Sequence, residues 1–191
     1  MTTHYLDITL LKDPEFSHAQ LLGALMSKLH RALVQGQRSD IGVSFPEHVN
    51  APLSKRTLGA VLRLHGSADG LAQLMASTWL QGMRDHVELT AVLVVPSDAQ
   101  HRQVLRRQFK TNADRLRRRR MQRKGETFEQ AAAAIPDTVE RKPDLPYVQL
   151  RSSSSGQPFC LFVEHAALLS SVGLGGFNTY GLSLGSSIPW F

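Results

Sequence analysis

A run of arginines within residues 112–124 has the residue types and spacing to bind phosphate. Arg115, Arg119 and Arg123 recur at every fourth position, so on a helix they form one stripe, and Arg118 lies beside it. Like charges at this spacing repel each other in a free helix, whereas a nucleic-acid backbone offsets the repulsion and releases counterions. Arginine also presents a flat fork that suits phosphate or guanine. We therefore predict a nucleic-acid-binding helix, with a solvated face or a disordered basic arm as the alternative.

The charge of the chain is concentrated in this region. Residues 102–124 hold eleven of the 22 lysines and arginines but only one of the 16 acidic residues, Asp114, which gives this segment a net charge of +10. The whole chain carries +6, so the remainder is negative. Arg117 and Arg120 widen the charged face of the predicted helix. Local positive potential of this kind is typical of a phosphate-binding surface, although it does not distinguish RNA from DNA.

Few other residues are spaced for catalysis. The eight histidines show no metal-ligand spacing such as HExxH, and a single cysteine, Cys160, excludes CxxC-type zinc or redox sites. His30 lies beside the apolar stripe of a predicted helix, where it can be structural, exposed or a proton-transfer group. The serine run 152–155 is typical of a flexible turn, and the glycine-rich segment 173–181 lacks the P-loop pattern.

The composition is that of an ordinary globular protein, with 42% hydrophobic and 20% charged residues in 191. We expect no membrane helix, because no apolar run approaches the roughly 20 residues that a membrane span requires. The N-terminal residues do not have the pattern of a signal peptide. Together with the single cysteine, these features predict a cytoplasmic location.

Hydrophobic periodicity predicts the order β-α-β-β-α-β in the first half of the chain. The predicted strands are Tyr5–Leu10, Ile41–Phe45, Leu58–His65 and Val87–Val95. Ser17 begins a helix with a capping-box pattern that ends at Gly36, and Ser67 caps a shorter second helix. This order is that of the ferredoxin-like split unit, so we predict an α+β protein with a ferredoxin-like domain over residues 1–97.

The second half, residues 98–191, is predicted to be an α+β nucleic-acid-binding half. Its basic helix is capped by Thr111 or Asn112, and a further helix spans Thr127–Ile135 before Pro136. Two short strands, Tyr147–Ser152 and Phe159–His165, are predicted to form an antiparallel hairpin around the serine run.

Several strings along the whole chain are long and unusual. They are His4-Tyr5-Leu6-Asp7-Ile8, Lys28-Leu29-His30, Ile41-Gly42-Val43-Ser44-Phe45-Pro46, Arg115-Leu116-Arg117-Arg118-Arg119, Ile135-Pro136-Asp137-Thr138-Val139, Leu150-Arg151-Ser152, Gly175-Gly176-Phe177, Tyr180-Gly181-Leu182-Ser183 and Pro189-Trp190-Phe191. In these strings the chain resembles the CRISPR-associated endoribonuclease that processes precursor CRISPR RNA in type I-F systems. The resemblance extends from end to end.

The resemblance implies four residues at or near the cut site. His30 matches the catalytic histidine of the family. Ser152 matches a serine that orients the ribose, and Ser154 matches a nearby supporting serine. Tyr180 matches a tyrosine close to the catalytic histidine.

The resemblance also implies residues that bind the RNA stem. Arg106 and Gln108 match residues that read base edges low in the stem, and Phe159 matches an aromatic residue that stacks on the terminal base pair. Arg115, Arg118 and Arg119 match arginines that line the groove and contact stem phosphates, and Arg117 and Arg123 of the same helix are also predicted to bind RNA. Two positions depart from the family pattern, because Arg120 stands where an apolar residue is expected and Gln122 where an arginine is expected.

The activity implied by the resemblance is metal-independent cleavage at the base of a repeat stem-loop. The 2′-OH attacks the adjacent phosphate, a cyclic phosphate and a 5′-OH form, and the product hairpin stays bound. No cofactor is implied, and the partners are the repeat RNA and other subunits of a crRNA-guided surveillance complex, with no membrane. The alternative is a non-catalytic subunit that binds the crRNA hairpin, and a weaker one is a DNA-binding protein that uses the basic helix.

Overall fold

The computed structural model describes residues 2–109, 113–139, 144–152 and 155–191. Its helices and antiparallel sheets form a mixed α+β fold, as predicted. The chain divides into two compact units, one formed by Met1–Arg106 with Leu145–Phe191 and the other by Arg107–Asp144. The predicted domain boundary at residue 97 stays a prediction.

Strand β1 (His4–Leu10) is central in the larger sheet of the first unit. Its alternating apolar residues Leu6, Ile8 and Leu10 are buried, because successive side chains of a strand point to opposite faces. The sheet order is β2-β3-β1-β4, and the neighbouring strands are antiparallel. The flanking strands are β2 (Gly42–Ser44), β3 (Val61–Gly66) and β4 (Val87–Leu89).

The single strand predicted over Val87–Val95 is wrong, because the structure divides it into β4 and β5 (Leu93–Val94). Both parts pair with β1, but at different ends of it. Between them, the Oγ1 atom of Thr90 accepts a hydrogen bond from the backbone N–H of Asp7 at 2.9 Å. A side chain therefore takes the place of a main-chain carbonyl, and the regular ladder is interrupted there.

The two predicted helices of the first half are present. Helix α1 (His18–Gln35) begins after Ser17, which forms the predicted capping box with Gln20, and it ends at Gly36. It buries an apolar face of seven residues, namely Leu21, Leu22, Gly23, Leu25, Met26, Leu29 and Leu33. Helix α2 (Ala68–Ala76) is capped by Ser67, as predicted. Short 3₁₀ helices follow at Thr78–Leu80 and Arg84–His86.

A second sheet of the first unit has the strand order β11-β6-β8-β7. The strands are β6 (Gln100–Arg107), β7 (Tyr147–Arg151), β8 (Pro158–Leu169) and β11 (Ile188–Trp190). The predicted hairpin is confirmed as β7 and β8. Strand β6 was not predicted, because its sequence is mostly polar or basic and only Val104 is buried. A small pair, β9 (Gly176–Phe177) and β10 (Ser183–Leu184), lies in the tail.

Two α-helices lie among the described residues of the second unit. Helix α3 (Ala113–Lys124) is the predicted arginine helix, and α4 (Phe128–Ala134) follows a capping box of Thr127 with Gln130. A 3₁₀ turn at Asp137–Val139 comes next. The predicted cap at Thr111 or Asn112 lies outside the described residues.

None of the helices in the described part of the chain combines the length and the apolar character needed to cross a bilayer.

Candidate active site

His30 is held in a defined orientation on α1. Its neighbour Leu29 is fully buried, which anchors this turn of the helix, and the ring of His30 is partly exposed. The Nδ1 atom lies 2.9 Å from the carbonyl oxygen of Thr179. Because a carbonyl oxygen can only accept, Nδ1 carries the hydrogen and donates it. In the neutral ring the lone pair is therefore on Nε2, which is the nitrogen able to take a proton from a ligand.

Tyr180 lies against His30. The two rings are stacked, with 4.1 Å between their centres and 7° between their planes. Burial raises the pKa of the Tyr180 hydroxyl above its ordinary value of 10, and the nearby Arg106 opposes this shift. The phenol therefore stays protonated at neutral pH and can donate a hydrogen bond.

A tight turn presents both Thr179 and Tyr180 to the histidine. The side-chain oxygen of Asn178 accepts from the backbone N–H groups of Tyr180 at 2.8 Å and Leu182 at 3.1 Å. The backbone N–H of Asn178 donates to the carbonyl of Leu182 at 2.8 Å. An asparagine commonly stabilises a turn in this way, by bonding the backbone two residues further on.

Gly181 fixes the turn against strand β2. Its φ of +75° is in the left-handed region, which glycine adopts without strain. Its carbonyl accepts from the N–H of Val43 at 2.8 Å, and an added Cβ would lie 2.5 Å from Cγ1 of Val43. Only glycine fits this position without displacing β2 or the turn.

Arg106 and Phe159 reach the same place from β6 and β8. The guanidinium carbon of Arg106 lies 5.8 Å from the ring centre of Tyr180 and 6.0 Å from that of Phe159, near the outer limit of a cation–π contact. The structure thus brings together His30, Tyr180, Arg106 and Phe159, which are far apart in the sequence. Gln108 follows the end of β6 and is exposed.

Ser152 lies in the turn between β7 and β8. Its backbone N–H donates to the carbonyl of Gln157 at 2.9 Å, and its Oγ accepts from the N–H of Ser155 at 3.3 Å. The preceding strand β7 packs closely on α1, because a Cβ added to Gly23 would lie 2.8 Å from the carbonyl oxygen of Gln149. Ser154 lies outside the described residues.

The arginines of α3 divide into two groups. Arg115, Arg118, Arg119 and Arg123 are exposed, in keeping with the predicted binding face. Arg117 is only 8% exposed, and its guanidinium donates hydrogen bonds to three acceptors in the described part of the chain. Its acceptors are the carbonyl of Ile135 at 2.9 Å, Asp114 at 3.0 Å and Asp137 at 2.7 Å. These contacts tie α3 to the chain that follows α4.

Arg120, one of the two positions that depart from the family pattern, has an acidic partner in the structure. Its guanidinium donates two hydrogen bonds to the carboxylate of Glu126, which lowers the pKa of that carboxyl below its ordinary value. Glu126 and Asp137 both follow the basic segment in sequence. Acidic partners are therefore present in the fold, although the segment itself contains only Asp114.

Two contributors to the site were not among the predicted residues. The carbonyl oxygen of Thr179 orients His30, and the side chain of Asn178 shapes the turn that carries it. A main-chain acceptor leaves no trace in residue type. The Asn178-to-Gly181 spacing, typical of an Asx turn closed by a left-handed glycine, is the signal that could have indicated it.

Within the described ranges, no three His, Cys, Asp or Glu side chains are grouped so that they could hold a metal ion.

Comparisons with known proteins assign the family. The family model described as "CRISPR-associated protein (Cas_Csy4)" matches residues 5–191. A "CRISPR-associated endonuclease Cas6/Csy4" of Pseudomonas aeruginosa (strain UCBPP-PA14) is 50% identical over 188 residues, covering 98% of this chain and 99% of its own. A protein of the same name from Escherichia coli (strain UTI89 / UPEC) is 45% identical, with the same coverage of both chains.

A solved structure described as "An RAMP protein binding different RNA substrates" aligns with 97% of this chain and 98% of its own, at 13% identity and a TM-score of 0.34. That likeness is too distant to support a conclusion. The match of the family model over nearly the whole chain and the two curated relatives agree with each other. The chain belongs to the Csy4 family of CRISPR-associated proteins.

Proposed function

We propose that this protein is an endoribonuclease that cleaves precursor CRISPR RNA at the base of a repeat stem-loop and keeps the product hairpin bound. Two curated relatives that match nearly the whole chain are named CRISPR-associated endonucleases. The observation that carries the proposal for this chain is the orientation of His30. Its Nδ1 donates to the Thr179 carbonyl and its ring is stacked on Tyr180, which leaves Nε2 as the ring nitrogen that can exchange a proton with a ligand.

The proposed reaction uses the nucleophile that RNA carries. The 2′-oxygen attacks the neighbouring phosphorus, a new O2′–P bond forms, and the P–O5′ bond breaks to leave a cyclic phosphate and a 5′-OH. One proton leaves the 2′-OH and one is gained by the departing 5′-oxygen. Nε2 of His30 transfers one of these protons, and alignment of the three reacting atoms supplies much of the remaining acceleration. No metal or other cofactor is required by this scheme.

Ser152 is proposed to hold the ribose at the cut site by a hydrogen bond to its 2′-OH, with Ser154 in support. Support for this role comes from its place in the β7–β8 turn, next to the strand that packs on the helix of His30. Since the bonded group is also the nucleophile, the same contact would select RNA over DNA.

The RNA stem is proposed to contact two groups of residues. Arg106 and Gln108 read base edges, and Phe159, beside Arg106, stacks on the terminal base pair. The exposed arginines that contact stem phosphates are Arg115, Arg118, Arg119 and Arg123. The A-form major groove is too narrow for a helix along most of its length, so the ligand must be a stem-loop whose groove opens near the loop. The buried contacts of Arg117 favour a structural role, in which this side chain ties α3 to the chain that follows α4.

The finer architecture is also a proposal. The antiparallel spatial order β2-β3-β1-β4 supports a ferredoxin-like domain over residues 1–97, because along the chain α1 connects β1 to β2 and α2 lies between β3 and β4. A cytoplasmic location is supported by the presence of a single cysteine, Cys160. Other subunits of a surveillance complex are proposed partners on the strength of the family alone.

Cleavage of repeat hairpin RNA in EDTA tests the proposed function. The wild-type protein should cleave, and His30→Ala should slow the reaction by roughly a hundredfold to ten-thousandfold while binding the hairpin normally. A hairpin with a 2′-deoxy nucleotide at the cut site should bind and remain intact. Efficient cleavage of that substrate would contradict the mechanism, and no cleavage by the wild-type protein would favour a non-catalytic hairpin-binding subunit.

A further inference from the structure

A wide groove opens beside the turn that carries Ser152. It has a volume of about 1000 Å³ and lies between the N-terminal half of α1, the loop that precedes β3, and strand β7. All of these elements belong to the first compact unit. We call this feature the flank groove.

The flank groove is basic. His18, Lys55, Arg56 and Arg151 line it, and none of the described residues along its walls is acidic. Lys55 and Arg151 are exposed, and neither makes an ion pair or hydrogen bond to another side chain within the described ranges. Arg56 is held by a hydrogen bond to Asn50 at 3.2 Å. Two free cations and one fixed cation therefore line a space to which the described residues contribute no carboxylate.

The remaining lining suits nucleotide bases as well as phosphates. Tyr147 lines the groove with 54% of its surface exposed, and its ring is braced at one side by Phe162, 5.4 Å away. Gln149, from the same strand, adds an exposed amide group. An exposed aromatic ring beside unpaired basic side chains is the arrangement with which proteins bind single-stranded nucleic acid, by stacking bases and tracking the backbone.

The position of the groove connects it to the proposed cut site. Arg151 lines the groove and directly precedes Ser152, and Pro158 lines it and directly precedes Phe159. Ser152 is proposed to hold the ribose at the cut, and Phe159 to cap the stem. With these two proposed roles, the groove would begin where a strand leaves the base of the stem.

We propose that the flank groove binds the single-stranded RNA that continues beyond the base of the stem-loop. The precursor continues on both sides of a repeat hairpin, and both flanks share the chemistry that the groove recognises. This inference rests on the proposed function. Its consequence is that the groove adds affinity for the uncleaved precursor that a bare hairpin cannot obtain, and the sequence of the flank is read weakly, since stacking and phosphate contacts tolerate any base.

Binding of uncleavable hairpins tests the proposal. The RNAs carry a 2′-deoxy nucleotide at the cut site and have an unstructured flank of about six nucleotides on the 3′ side, on the 5′ side, or on neither. At low salt the wild-type protein should bind a flanked hairpin more tightly than the bare one. If Lys55 and Arg151 each contact one phosphate, the advantage should fall about sevenfold between 50 and 200 mM salt.

A pair of double variants distinguishes binding of the flank in the groove from a general effect of positive charge on RNA affinity. Lys55→Ala with Arg151→Ala should remove the advantage of the flank and leave affinity for the bare hairpin unchanged. Lys12→Ala with Arg84→Ala removes the same charges from exposed positions outside the groove and should retain the full advantage. The flank that shows the variant-sensitive advantage is the one in the groove.

Three results would overturn the inference: no advantage for either flank, an advantage that survives in the Lys55/Arg151 variant, or equal loss in both double variants. Failure of the proposed function would look different, because the bare ribose-containing hairpin would then remain uncleaved by the wild-type protein.

Discussion

The imidazole of His30 and the phenol ring of Tyr180 lie nearly parallel, with 4.1 Å between their centres. Thr179, which precedes the tyrosine and bonds to the same imidazole, is 149 positions from His30 in the sequence. One turn of the chain supplies both contacts to the histidine, a stacked ring on its face and a carbonyl oxygen on its Nδ1 edge. The orientation of Nε2 therefore depends on that turn as much as on α1.

Two substitutions of Tyr180 distinguish the contribution of its ring from that of its hydroxyl. Tyr180→Phe keeps the stacking and should retain most of the cleavage rate, whereas Tyr180→Leu should lower it by about fivefold, because a stacked aromatic pair contributes on the order of 1 kcal/mol. Single-turnover cleavage at saturating protein measures both rates. Equal loss in the two variants would show that the hydroxyl, and not the ring, is required.

Gly181→Ala should destabilise the protein and slow cleavage together. The variant must tolerate both a left-handed backbone and a Cβ 2.5 Å from Val43, and we expect a loss of about 2–4 kcal/mol of unfolding free energy. Gly156→Ala is the matched control, since Gly156 also has a positive φ of 66° but an added Cβ meets nothing within 4 Å. Urea unfolding should therefore show a smaller loss for Gly156→Ala. Equal losses would mean that the contact with Val43 is unimportant.

Arg117 and Arg118 are adjacent but should behave differently. Arg117→Ala removes the hydrogen bonds to Ile135 and Asp137 and should lower the melting temperature and the helical signal of the protein. Arg118→Ala should leave both unchanged and instead reduce the salt dependence of hairpin binding, by about one unit in the slope of log Kd against log salt. Circular dichroism and a salt titration of binding distinguish them. The prediction fails if Arg117→Ala melts like the wild-type protein.

Stability should decrease as the pH falls below the ordinary pKa of histidine. Burial lowers the pKa of His65 and of His165 to about 3, with smaller contributions from nearby cations such as Arg63 and Arg102. The unfolded chain therefore binds more protons than the folded chain between about pH 3 and pH 6.5, and acid favours unfolding in that window. Each histidine should cost roughly 1 kcal/mol per pH unit there.

The measurement is urea unfolding at about pH 7.5 and about pH 5.5. His165→Phe keeps an aromatic ring beside His48, with which His165 is stacked at 3.6 Å, and removes one titrating group. This variant should lose part of the pH dependence, and the remainder should come from His65 and from His48, whose pKa burial also lowers. Identical pH dependence in variant and wild-type proteins would show that His165 titrates normally in the folded state.

The elements that the sequence predicted correctly are those whose local signals agree with their packing. Helix α1 has a capping box at Ser17, an apolar stripe and a terminal glycine, and the structure places its ends there. Strand β6 has none of these signals. Few of its side chains are buried, and its arginines obscure the alternation of apolar and polar residues that is typical of a strand. Thr90 shows a further limit, since a hydroxyl that replaces one ladder carbonyl changes the strand count without changing hydropathy.

The grouping of four side chains follows from residues that the sequence indicated, whereas the main-chain contact to His30 does not; the roles of these residues stay a prediction. The resemblance indicated His30, Tyr180, Arg106 and Phe159, and the structure gathers these four. The resemblance gave no indication that Arg117 bonds to Asp114 and Asp137. The sequence alone does not distinguish the arginines on the exposed face of this helix from one on its buried face.

The acceptor for Nδ1 of His30 belongs to the backbone of residue 179. Any amino acid at that position supplies the same oxygen, so substitution scanning there will find nothing to remove. We therefore expect the residue type at position 179 to be unrestricted by this contact. The restriction should fall on Asn178 and Gly181, which shape the turn without contacting the imidazole themselves.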